Sequence, residues 1–139
     1  MECPGKELLG LPVPGMAAGQ FDCDVVGGGI PGCAVAWSAA LFGSRGALIQ
    51  NRPVLGGNSS SEVGITPRGT RSALVTELVE RGPDGAIRAE GVLRAEENVS
   101  LFLNYHAIRA EKHGDSNRIV SVDAKHAQSN RELRFAAPC

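Results

Sequence analysis

Aromatic side chains are scarce in this sequence, with four Phe, one Trp and one Tyr among 139 residues. Bulk for a core must come from aliphatic residues, and a hydrophobic content of 42% is enough to bury one in a domain of ordinary size. Charge of one sign is missing too. The 14 Lys+Arg stand against 15 Asp+Glu, so no basic field exists to draw in a nucleic-acid backbone or an anionic membrane. No apolar run reaches the ~18–20 residues of a spanning helix. Pro12 and Pro14 break the short apolar stretch near the start, where a signal sequence needs continuity. Cys3, Cys23, Cys33 and Cys139 contain no C-x-x-C pair and are too scattered for a disulfide framework. Neither they nor His106, His113 and His126 have metal-ligand spacing. The expectation is a cytoplasmic protein with reduced thiols, no metal, and no nucleic-acid or membrane partner.

Glycine is what the chain has in surplus: 18 of 139 residues, roughly twice the usual share of about 7%. Residues 1–20 hold four of them with three prolines and no sustained periodicity, and read as a flexible N-terminal tail. Eight more lie between Gly27 and Gly57. There the run FDCDVVG (21–27) reads as a short strand, and IPGCAVAWSAALF (30–42) as a helix of about three turns. Pro31 suits the first turn of that helix and Gly43 its stop. GALIQ (46–50) is a second strand, and strand, helix and strand at this spacing make a βαβ unit with parallel strands.

Beyond the loop LGGNSSSEVG (55–64), Leu74, Val75, Leu78 and Val79 fall at helical spacing within 70–81. GPDG (82–85) breaks the chain, and 89–98 reads as a second, weaker helix. The span 99–113 has the apolar density of one strand, buried at its start and exposed at its end. Period-two alternation in 118–127 and 131–138, across a polar turn, predicts an antiparallel β-meander. Residues 21–139 are thus assigned to one α/β domain.

Gly27-Gly28-Gly29-Ile30-Pro31-Gly32 is a G-x-G-x-x-G between the first strand and the first helix. In that setting the first glycine permits a tight turn, the second lets backbone approach a diphosphate, and the third allows helix and strand to pack closely. The helix N-terminus then offers free N–H groups and the positive end of its dipole to the anion. Ala36, one turn beyond Gly32, supplies a small side chain toward the sheet. The pattern predicts a dinucleotide site. The end of the second strand usually carries an acid that holds the adenosine ribose, and here Gln50 stands there, followed by Asn51 and Arg52. Gln50 can accept from a hydroxyl through its amide oxygen; Arg52 could instead meet the 2′-phosphate of NADP.

With GGGIPGCAVA (27–36), ALIQN (47–51) and RPVLGGNSSSE (52–62) in place, the chain resembles the FAD-dependent oxidoreductases of the glutathione-reductase-like, two-Rossmann flavoprotein group. The likeness extends over the helix TRSALVTELVE, the strand VSLFLN and the segments RIVSV and RELRFAAP. It implies a Rossmann-like FAD/NAD(P)-binding domain of class α/β, a parallel βαβ sheet with an antiparallel β-meander, incomplete at the C-terminus. It implies FAD as cofactor, with the diphosphate at Gly27, Gly28, Gly29, Ile30, Pro31 and Gly32. Gln50, Asn51 and Arg52 are placed near the ribose, Gly56, Gly57 and Asn58 along the ribityl or diphosphate path, and Ala107 against adenine through its backbone. Ser60, Ser61 and Glu62 lie toward the flavin or take an N-capping role before the next segment.

Three positions depart from the family pattern. Asp24 stands in a strand that should be apolar, Gly46 replaces a branched residue, and Gln50 replaces an acid. The family continues with a segment that closes the FAD site and a substrate domain, so the chain reads as the N-terminal part of a longer enzyme, the remainder of which is its implied partner. No C-x4-C follows the Leu-Gly-Gly loop, which argues against a disulfide reductase, and Cys33 reads as a small core residue. No general base is assignable. Two alternatives stand beside the FAD-dependent oxidoreductase: an NAD(P)-binding oxidoreductase domain, and a truncated non-catalytic nucleotide-binding fragment.

Overall fold

A computed structural model describes residues 21–136. The expected tail, Cys3 and Cys139 lie outside this range. The chain runs β1 (Cys23–Val26), α1 (Ile30–Leu41), β2 (Gly46–Gln50), α2 (Ala73–Val79), α3 (Ala89–Ala95), β3 (Val99–Leu103), β4 (Tyr105–Lys112), β5 (Ile119–His126) and β6 (Glu132–Phe135). The strands form two three-stranded sheets, ordered β1-β2-β3 and β4-β5-β6. β2 pairs in parallel with both neighbours, and the second sheet is antiparallel throughout.

All five residues of β2 are buried, as a central parallel strand covered on both faces requires. Its side chains divide between two cores. Leu48 joins Cys33 and Ala36 of α1, Leu78 of α2 and Ala89 and Leu93 of α3. Ala47 and Ile49 face the other way, into a cluster with Ala124, Leu133 and Phe135. Three layers result: helices, parallel sheet, antiparallel meander. The few aromatics concentrate at the second interface, where Phe102 meets Phe135 edge to face with ring centres 4.7 Å apart, and Phe21 and Tyr105 flank it. Such pairs contribute about 1 kcal/mol each beyond the area they bury.

Local signals behave as the residue types demand. Pro31 opens α1 and Phe42 closes it, with Gly43 at φ +86° just beyond. The helix expected over 70–81 is shorter: Ser72 caps it by accepting from Val75 N–H, and the regular turns end at Val79. Ser60 Oγ accepts from Glu62 N–H (3.3 Å) and so caps the short turn that follows it, while α2 has its own cap in Ser72. Another correction concerns 99–113. This is not one strand but two, in different sheets, because Asn104 adopts φ 62° and turns the chain from the parallel sheet into the meander. Asn tolerates that conformation better than other non-glycine residues.

Candidate dinucleotide site

The site is built where β1 and β2 end. Gly27 N–H still donates to Ile49 O (2.8 Å), so the fingerprint begins as an extension of the sheet before Gly27, at φ +104°, turns it away. Gly32 lies directly above that turn. A Cβ there would fall on the Gly27 carbonyl oxygen, so the third glycine lets α1 and β1 approach. Gly29 precedes α1 as its N-cap with no side-chain hydrogen bond, and no acidic residue stands in the first turn. The positive end of a twelve-residue helix is left for another anion.

The second glycine loop lies alongside the first. Gly56 N–H donates to Gly28 O (2.7 Å), Gly29 and Gly56 form a parallel β-bridge, and a Cβ on Gly57 would come within 3.4 Å of Gly29 Cα. By contrast, a Cβ on Gly29 would meet only Pro31 Cδ, at 3.7 Å, leaving its outer side open. Leu55 anchors the second loop, 2% exposed. The result is a floor of backbone beneath an uncapped helix end, whose free N–H groups and dipole favour an anion.

Gln50 is buried beneath this floor rather than standing at its rim. Its Oε1 accepts from Gly28 N–H (2.9 Å) and its Nε2 donates to Val54 O (3.1 Å). Asn51, Arg52 and Asn58 are exposed; the Arg52 guanidinium is held by Glu62 at 2.9 Å, which raises its pKa. Ala107 is an exposed residue of β4, an edge strand whose entry is tied to the 50s loop by Asn104 N–H donating to Arg52 O (3.2 Å).

Cys33 is fully buried. Burial pushes its thiol up to about 12 and its Sγ donates to Gly28 O (3.4 Å), so it is a protonated core group. Arg81 went unnoticed in the sequence. It donates to Ser59 O (3.3 Å) and Gly85 O (2.8 Å), tying the second glycine loop to the 82–85 turn. Nothing in the spacing of residues 59 and 81 signals it. Among the described residues no group of three or more His, Cys, Asp or Glu could hold a metal ion, and no helix is long and apolar enough to cross a membrane.

The architecture is a mixed α/β fold with one parallel and one antiparallel sheet. Three solved structures share it: the L-proline dehydrogenase of P. horikoshii (16% identity, TM-score 0.56, 88% of this chain and 22% of that one); a geranylgeranyl bacteriochlorophyll reductase-like protein of Thermoplasma acidophilum (16%, 0.57, 87% and 38%); and the glycerol-3-phosphate dehydrogenase of Bacillus halodurans complexed with FAD (13%, 0.53, 86% and 33%). This chain therefore spans well under half the length of each. No curated protein sequence matches it. Residues 22–89, which carry both glycine loops and Gln50, match the sequence model of the FAD dependent oxidoreductase family.

Proposed function

We propose that the chain binds the ADP and diphosphate part of FAD and serves as the nucleotide-binding unit of an FAD-dependent oxidoreductase. The observation that carries this reading is the seam between the two glycine loops, Gly56 N–H to Gly28 O at 2.7 Å, beneath an α1 N-terminus that no side chain caps. Gly27, Gly29 and Gly32 would hold the diphosphate with the first-turn backbone of Ile30 and Pro31. Gly57 and Asn58 would follow the cofactor outward, with Asn51 and Arg52 near the ribose and the Ala107 backbone toward adenine. Bound flavin supplies hydride or electron transfer, while the protein binds and orients it. Substrate contacts would come from parts of the enzyme outside residues 21–136. The Arg52–Glu62 pair presents a 2′-phosphate with a cation already neutralised, which favours FAD over NADP.

The test is a ligand titration followed by thermal unfolding. A ligand held only by the folded state raises Tm with its concentration. FAD should produce a saturable rise and NADPH none, and flavin absorbance should travel with the protein through gel filtration. A Tm that rises with NADPH and ignores FAD would replace this reading with the NAD(P) one; no response to either would leave a fragment that binds neither.

A further inference from the structure

Gln50 occupies the position where dinucleotide-binding folds usually carry an acid toward the ribose, yet its side chain is 5% exposed and turned inward. It accepts from Gly28 N–H at 2.9 Å while donating to Val54 O at 3.1 Å. A Cβ on Gly28 would come within 3.0 Å of Gln50 Cβ and Cδ and 2.6 Å of Leu55 Cδ2, so the amide and the first glycine loop are in tight contact. On the other side of the same peptide pair, Gly28 O takes Gly56 N–H at 2.7 Å.

We infer that Gln50 is a positioning residue: an internal clamp that holds the fingerprint loop and the 51–57 loop in register for the diphosphate, leaving the ribose to be met by other groups. The inference rests on the FAD-binding reading above. Its chemistry explains the departure from an acid. An amide supplies one acceptor and a donor from the same group, which Gly28 N–H and Val54 C=O require in that order. A carboxylate satisfies Gly28 but sets an anionic oxygen against the Val54 carbonyl, with no proton to donate. Leaving a part-buried carbonyl unsatisfied beside a buried charge is unfavourable on both counts. A ribose hydroxyl, by contrast, is held better by a charged acceptor than a neutral one. The clamp and the ribose-reading role therefore predict effects of opposite sign for one substitution.

The decisive variant is Gln50→Glu, with FAD affinity measured by fluorescence quenching at pH 7.5. A clamp predicts weakening of about tenfold, equivalent to ~1.4 kcal/mol; tightening or unchanged affinity overturns it. Amide hydrogen exchange at Gly28 in the unliganded wild-type chain gives a second readout, needing no variant and no cofactor. Slow exchange is expected, with at least about tenfold acceleration in Gln50→Met, whose side chain has a similar length and no amide. Exchange at the free-peptide rate in wild type overturns the clamp even if FAD binds. A wild type that shows protected Gly28 and no FAD binding overturns the FAD reading, and the cofactor-positioning role with it.

Discussion

The parallel and antiparallel halves of this molecule treat buried acids in opposite ways. In the meander Asp123, 2% exposed, receives Arg134 through Nε (2.7 Å) and Nη2 (3.0 Å) and Arg109 through Nη1 (3.0 Å). The Arg134 hydrogen bond is the main cause that holds its carboxyl below the usual range. In the parallel sheet Asp24 has a buried Oδ1 with no hydrogen-bond partner among the described residues, and burial pushes its carboxyl up to about 6. One half closes its electrostatics internally. The other leaves an acid unmatched on β1, an edge strand here, while its polar backbone is organised around the glycine loops. The two halves thus divide their charge: the meander pairs its buried acid with arginines and shares an aromatic interface with the parallel half, while the parallel half carries the unpaired acid and the uncapped end of α1.

The sharpest way to break this division is Gly32→Val. A branched side chain would fall on the Gly27 carbonyl, and about 3 kcal/mol of stability should be lost, with FAD binding abolished. Urea unfolding and the FAD titration together check it. Next is Arg134→Met, which leaves Asp123 with Arg109 alone. Removing one partner of a buried pair is costly; about 2 kcal/mol should be lost at pH 7, with FAD affinity in the surviving folded protein unchanged. A fall in affinity would mean that the halves are coupled.

The two acids should also pull the pH dependence of stability in opposite directions. Asp123 has a depressed folded-state pKa, so its contribution is present above the unfolded value of ~3.9 and is lost as pH falls through the folded one. Asp24 has a raised folded-state pKa. Its folded form binds more protons than the unfolded chain between ~3.9 and about 6, so its penalty is absent below that window and complete above it. Asp24→Asn should therefore gain about 1 kcal/mol on wild type between pH 4 and pH 7.5, a value reduced for a group only partly buried. A gain independent of pH would show that the charge is not the cause. The smallest effect is expected from Arg52→Ala, whose exposed pair with Glu62 should leave the urea midpoint unmoved.

Much of the parallel half was legible in residue types. GALIQ at 46–50 coincides with β2, and Pro31 and Gly43 bracket α1 within two residues of its ends. These signals are local: a missing N–H, a positive φ, a run of apolar side chains. The break at Asn104 was not legible, since no glycine or proline marks VSLFLNYHAIRAEKH and only the need to change sheets forces the turn. Gln50 was visible as a departure from an acid, but its residue type did not say whether the amide turns outward to a ribose or inward to Gly28 and Val54. Arg81 had no signature, because its partner Ser59 is 22 residues away and is used through its backbone.

The sequence by itself determined the βαβ unit, the glycine turn between its parts and the anion-favouring end of α1, because each follows from steric properties of residues close together in the chain. Only the tertiary structure decided where the Gln50 amide points, which carboxylate is paired and which is not, and that residues 99–112 serve two sheets. Those outcomes depend on groups brought together across 11 to 53 residues, and hydrogen bonds at such separations are selected by packing rather than by the pattern of the chain.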